Sequence, residues 1–184
     1  MINRNLHFVS PESWRTIKPE HYRVFSILST KDVPCIYAFA IKRDDGGYYV
    51  VSMFDYGAWD ESFIVDVKAN WEKMAKNPTD TADIAKYIED NMEEKKVKSL
   101  YMEPVLVEET ILFERRSLVI ISKQITNNIK GYSIQVLTDV DGYCIALGTN
   151  VATIDEEDPF NSILQYDYID DLFNILIKSL AFEE

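Results

Sequence analysis

Apolar and polar residues alternate along this chain with two different periods, and the changes of period mark its elements. From Pro34, the runs CIYAFAIKR and YYVVSMF flank Asp44-Asp45-Gly46-Gly47. Aromatic and β-branched runs around a turn that needs positive φ predict a β-hairpin. Between Asp60 and Asn77 the period lengthens. Phe63, Val67, Trp71 and Met74 share one helical face, Asp60 stands where a cap is needed, and Asn77-Pro78 ends the run. A second helix is expected from Asp80, with Ile84, Ile88 and Met92 at four-residue spacing. Strand chemistry returns over 101–125, where VLVEETILF and SLVIIS read as joined across Arg115-Arg116. A second hairpin follows, YSIQVLT and YCIALG around Asp139-Val140-Asp141-Gly142. The last segment opens at Asp158-Pro159, with Asp158 as the expected N-cap, and carries Phe160, Leu164, Tyr168, Leu172 and Leu176 at helical spacing. Near the start, Ser10-Pro11-Glu12 predicts the cap and first turn of a short helix. Residues 19–28 fit a helical turn and a strand about equally.

These elements predict an α+β fold, an antiparallel β-sheet built from hairpins with helices packed on it, in a single domain spanning 1–184. Laid on each other at an offset of 95 residues, the two hairpins match Tyr37 with Tyr132, Asp44 with Asp139, Gly47 with Gly142 and Tyr48 with Tyr143, and Asp60-Glu61 falls on Asp155-Glu156. Two readings account for this. One is an internal ββα duplication, with pseudo-repeats 34–97 and 131–184. The other is independent selection of Asp and Gly by two hairpin turns.

Composition adds that the chain can bury a core without staples. Apolar residues are 47% and aromatics 12% of its 184 residues, too rich for disorder. Cys35 and Cys144 each sit inside an apolar run, which predicts free buried thiols and not a disulfide framework. The first residues show no apolar core of a secretion signal, and no run approaches a membrane span, so the cytoplasm is the expected compartment.

Charge changes the picture more. Acidic side chains number 31 against 19 basic ones, a net charge of −12, and direct binding to a polyanion is not expected. The imbalance is local. Residues 1–100 hold 14 basic and 16 acidic groups, whereas 131–184 hold Lys178 alone against eleven acids: Asp139, Asp141, Asp155, Glu156, Glu157, Asp158, Asp167, Asp170, Asp171, Glu183 and Glu184. Gathering like charges costs stability and attracts a basic partner. The plainer account is acidity for solubility alone.

Most catalytic constellations are missing. Six glycines cannot assemble a phosphate cradle, and neither GxSxG nor HExxH occurs. His7 and His21 are the only imidazoles, and no zinc-ligand spacing is present. Asp139-Val140-Asp141-Gly142 superficially matches a calcium loop. Counted from Asp139, however, the sixth and twelfth positions are Cys144 and Asn150 instead of Gly and Glu. Asp66-Val67-Lys68 has the acid-x-Lys pattern of Mg²⁺-dependent nucleases, with Asp55 or Asp60 as an upstream acid. The same residues also fit the outward side of the predicted helix.

The leading expectation is therefore a non-enzymatic acidic protein, without metal or cofactor, that inhibits a basic and nucleic-acid-handling enzyme. Immunity proteins and anti-defence inhibitors that partly mimic nucleic-acid charge share this profile of size and charge. The expected contact residues are Asp139, Asp141, Asp155, Glu156, Glu157 and Asp158, with Tyr56 and Trp59 as aromatic anchors. A small Mg²⁺-dependent nuclease using Asp66 and Lys68, and a structural scaffold or homo-oligomer, are the alternatives.

Overall fold

The computed structural model describes residues 5–18, 33, 35–76, 100–126 and 129–183. The second helix expected from Asp80, and the segment 19–28, lie outside the described residues. The strands are β1 (Leu6–His7), β2 (Arg15–Ile17), β3 (Cys35–Lys42), β4 (Tyr48–Ala58), β5 (Leu100–Leu112), β6 (Arg115–Thr126), β7 (Ile129–Val140), β8 (Tyr143–Val151) and β9 (Ala181–Phe182). Helix α1 (Glu61–Lys76) follows β4. Two short helices, α2 (Pro159–Ile163) and α3 (Asp167–Asp171), follow β8 and continue into a π-helical turn, Leu172–Ile177.

Seven strands form one antiparallel sheet in the order β2-β3-β4-β8-β7-β6-β5, and β1 pairs with β9 separately. The fold is the expected α+β arrangement. Both hairpins form, and they meet at the middle of the sheet, where β4 runs beside β8 with Ser52 facing Gly148. They close differently. In the first, Lys42 faces Tyr48 and Gly46 takes φ +86°, giving a turn with a bulge. In the second, Val140 faces Tyr143, leaving Asp141 and Gly142 as a two-residue turn at φ +52° and +83°. Both values are positive, as a type I′ turn requires. An ungapped offset of 95 residues thus keeps β4 and β8 in step but slips by three residues between β3 and β7.

Both faces of the sheet are covered, which explains why SLVIIS shows no polar alternation. Val119 and Ile121 point into the larger core, with Phe39, Met53, Ile134 and Leu147 beneath Ile163, Ile169, Phe173 and Leu176 of the C-terminal segment. Leu118 and Ile120 point the other way, against Ile64 and Val67 of α1 together with Phe54, Leu137 and Cys144. Helix α1 begins where Asp60 predicts. The Asp60 carboxylate accepts the Ser62 N–H at 2.9 Å and the Ser62 hydroxyl at 2.7 Å. Its buried stripe is Ile64 and Val67, with Phe63 half-buried.

Four expectations are corrected. The Ser10-Pro11-Glu12 helix is a single turn, closed by the Trp14 N–H on the Pro11 carbonyl at 3.0 Å, because β2 begins at Arg15. The third hairpin turns at Phe113 and Glu114, at φ +50° and +65°, and Arg115-Arg116 already belong to β6. The C-terminal helix is broken at Tyr166, whose hydroxyl donates to the Thr153 carbonyl at 2.7 Å and anchors the chain there. Asp158 does not cap α2 with its side chain, since both its oxygens are taken by the Asn161 amide at 3.0 and 3.1 Å.

Candidate functional site

The eight expected contact residues fall into two groups at opposite ends of β8. Asp139, Asp141, Tyr56 and Trp59 gather where β8 begins, since the Trp59 N–H donates to the Gly142 carbonyl at 2.8 Å. Asp155, Glu156, Glu157 and Asp158 follow Val151, where it ends. Nine residues of strand separate the groups by about 26 Å at 3.3 Å per residue. One continuous patch is therefore not formed.

At the first end the acids serve the fold. Asp139 receives two hydrogen bonds from Arg116, at 2.8 and 3.2 Å, and a third from the Gly142 N–H at 2.9 Å. Arg116 also pairs with Glu61, and its guanidinium lies over the Trp59 ring at 5.4 Å. The Trp59 indole N–H donates to Glu61 at 3.1 Å. Helix α1, β6 and the β7–β8 turn are latched by these four side chains. Asp141 accepts the Phe182 N–H at 3.2 Å, tying β9 to the same turn. Tyr56 packs on Phe63, ring centroids 5.6 Å apart. Arg116 and Glu61, the partners that neutralise this end, were not singled out by sequence; only a charge count across the turn could have raised them. Cys144 is buried beneath, and burial, with Asp139 and Asp55 adding repulsion, pushes its thiol up to about 12. Both cysteines are free.

At the other end the carboxylates are far less compensated. Glu156 is the exception: it accepts from Lys123 at 2.8 Å and from the Tyr132 hydroxyl at 2.5 Å. Its carboxyl is held below the usual range, first by Lys123 and then by Tyr132. Asp155, Glu157 and Asp158 are exposed, as are Asp167 and Asp170 of α3. Among the described residues none of these five forms an ion pair, and neither does Asp171. Asp171 is pushed upward by burial and by the charges of Asp170 and Asp167.

Asp66 and Lys68 stand on α1, not on a strand. Asp66 is exposed, and Lys68 reaches across to Glu109 of β5 at 3.1 Å. Asp60 is occupied as the helix cap, and Asp55 accepts the Gly57 N–H at 2.8 Å. His7 pairs with Glu183 at 3.0 Å in the β1–β9 ribbon. Among the described residues, no three His, Cys, Asp or Glu side chains gather as a metal site would need. Nor is any helix among them long and apolar enough to cross a membrane.

No family model and no curated protein sequence matches this chain. Its architecture is similar to the solution structure of cyanobacterial PsbP (CyanoP) from Synechocystis sp. PCC 6803. That match has 12% identity and a TM-score of 0.50, covering 95% of this chain and 85% of that one. Two crystal structures are more distant. LpqN, involved in cell envelope biogenesis of Mycobacterium tuberculosis, matches at 10% identity and TM-score 0.44 over 99% of this chain and 85% of that one. PA94 of Pseudomonas aeruginosa, a putative regulator of unknown function, matches at 5% identity and TM-score 0.46 over 89% and 96%. The likeness to CyanoP is one of fold alone.

Proposed function

We propose that this chain is a cytoplasmic, non-enzymatic binding protein that inhibits a basic, nucleic-acid-handling enzyme, and that contact is made by the 155–158 loop together with α3. One observation carries the reading. Asp155, Glu157, Asp158, Asp167, Asp170 and Asp171 have no ion-pair partner among the described residues, whereas Asp139 and Glu61 at the opposite end are paired with Arg116. Uncompensated carboxylates repel one another, and an arriving cationic surface relieves that repulsion while being steered by it. Carboxylates presented in this way compete with phosphates for the same arginines and lysines. The interface is narrower than the eight residues expected from sequence, because Tyr56, Trp59, Asp139 and Asp141 are committed elsewhere.

The test uses a panel of purified basic nucleases, with association rates and inhibition measured between about 50 and 200 mM salt, the range over which exposed charges become screened. For a nuclease that is bound, replacing Asp155, Glu157, Asp158 and Asp167 by their amides is expected to slow association at least about tenfold and flatten its salt dependence. Equal rates for the two proteins, or a panel in which no nuclease is inhibited, refute the proposal.

A further inference from the structure

In a molecule this acidic, one cavity is lined the other way. It lies where β4 begins and β8 ends, has a volume of about 450 Å³, and is walled by Arg43, Tyr48, Tyr49, Gln124, Lys130 and Tyr132. None of its described lining residues is Asp or Glu. The volume falls at the lower end of the range of small-ligand sites.

Its parts are fixed in different ways. Tyr49 stacks on Tyr168 with centroids 4.1 Å apart and planes 15° apart, and the Arg43 guanidinium lies 4.8 Å from the Tyr49 centroid. Arg43 keeps one edge on Asp45 at 2.5 Å, which orients it. Tyr132 donates its hydroxyl to Glu156, whose charge Lys123 offsets. Tyr48 and Lys130, by contrast, are exposed. Lys130 forms no ion pair among the described residues. Gln124 and Asn150 line the same walls. An exposed aromatic ring, an ammonium with no ion pair among the described residues, a guanidinium oriented by its ion pair with Asp45 and neutral polar residues meet around one space.

From this juxtaposition we infer that the cavity binds a small ligand carrying a planar ring and an anionic group, phosphate or carboxylate. The ring stacks on Tyr48, and the anion is held between Lys130 and Arg43. The charge logic is local. The walls themselves carry no carboxylate, and the two that touch them, Asp45 on Arg43 and Glu156 on Tyr132, are each ion-paired, with Arg43 and Lys123. Stacking on an aromatic face tolerates any planar ring, and charge-assisted hydrogen bonds are roughly twice as strong as neutral ones. Neither contact alone holds a small molecule well. The two together bring affinity into a measurable range. The cavity adjoins the acidic surface proposed above, through Glu156 on Tyr132 and Tyr168 of α3 on Tyr49, but its ligand is tested without any protein partner.

The probes are AMP, adenosine, inorganic phosphate and benzoate, titrated into the full chain at low ionic strength and followed by calorimetry and amide NMR shifts. AMP or benzoate is expected to bind saturably with a Kd below about 1 mM. Adenosine and phosphate, each carrying half of the recognition, should bind at least about tenfold more weakly. The better of AMP and benzoate assigns the anion as phosphate or carboxylate. Tyr48→Ala and Lys130→Glu lie at exposed positions and should fold normally, each weakening binding about tenfold or more, while Lys130→Arg retains it. Failure of both AMP and benzoate to bind below about 10 mM overturns the inference. So does binding that either Tyr48→Ala or Lys130→Glu leaves unchanged.

Discussion

Arg115 and Arg116 are adjacent, equally charged and on the same strand, yet their removal should have different consequences. The Arg115 guanidinium is half-buried and donates to backbone carbonyls that the terminal helical turn leaves over: Ile177 at 2.6 Å, Leu180 at 2.5 Å and, more weakly, Lys178 at 3.4 Å. These are orphan acceptors at a helix C-terminus, where a cation is also favoured by the dipole. A hydrogen bond to a charged group contributes about 1.5–3 kcal/mol, and the contacts to Ile177 and Leu180 are much closer than the one to Lys178. Allowing for rehydration of the freed carbonyls, Arg115→Met should cost about 3 kcal/mol. In a chain of this size that lowers Tm by roughly 6–12 °C. Arg115→Lys keeps the charge but not the fork, so it should recover only part of the loss. Arg116 bonds exposed Glu61 and the largely buried Asp139 with a side chain itself 55% exposed, and the Gly142 N–H still serves Asp139 without it, so Arg116→Ala should cost about 1–2 kcal/mol, less than Arg115→Met. Urea titration of the three variants reads all of this from the midpoints. An Arg115→Met midpoint indistinguishable from wild type, or an Arg116→Ala loss as large as that of Arg115→Met, would show that the cap has been misjudged.

Two further outcomes are expected. Asp171 has its folded pKa raised, so its charged form opposes folding above that pKa, and the penalty fades as pH falls through it toward the unfolded value. Asp171→Asn should therefore raise Tm at pH 7 by a small margin that disappears in acid; a gain that persists when carboxyls are protonated would contradict the sign. Ser122, 1% exposed, has a hydroxyl with no hydrogen-bond partner among the described residues. Ser122→Ala should be neutral or stabilising by about 1 kcal/mol in thermal melts, and a loss above that would reveal a bonded hydroxyl.

Much of the architecture was legible because its signals are local. Asp60 caps through its own carboxylate, and Asp141-Gly142 takes the two positive φ values that its residue types favour. The third hairpin was misread for the converse reason. Phe113 and Glu114 occupy positive φ without glycine, so the charged pair beside them passed for the turn. The acid count was right in total and misleading in space. Asp139 and Glu156 read alike in sequence, yet one is locked to Arg116 and the other to Lys123 at opposite ends of a strand. The partners come from β6, so only the tertiary pairing assigns them. The Tyr48–Lys130 cavity was invisible for the same reason, since its walls come from four strands and the β3–β4 turn.

The seam between β4 and β8 also sets a timetable for biosynthesis. Ser52 waits for Gly148, and at ribosomal rates of about 5–20 residues per second the intervening chain takes roughly 5–20 s to be made. During that interval the inner margin of the first hairpin, YYVVSMF, has no neighbour in this sheet. It is rich in β-formers and free of charge, the kind of segment that self-associates when left open. Yield during overproduction should therefore depend on how fast the second hairpin is delivered, and slowed translation upstream of Tyr143 would be paid for in inclusion bodies.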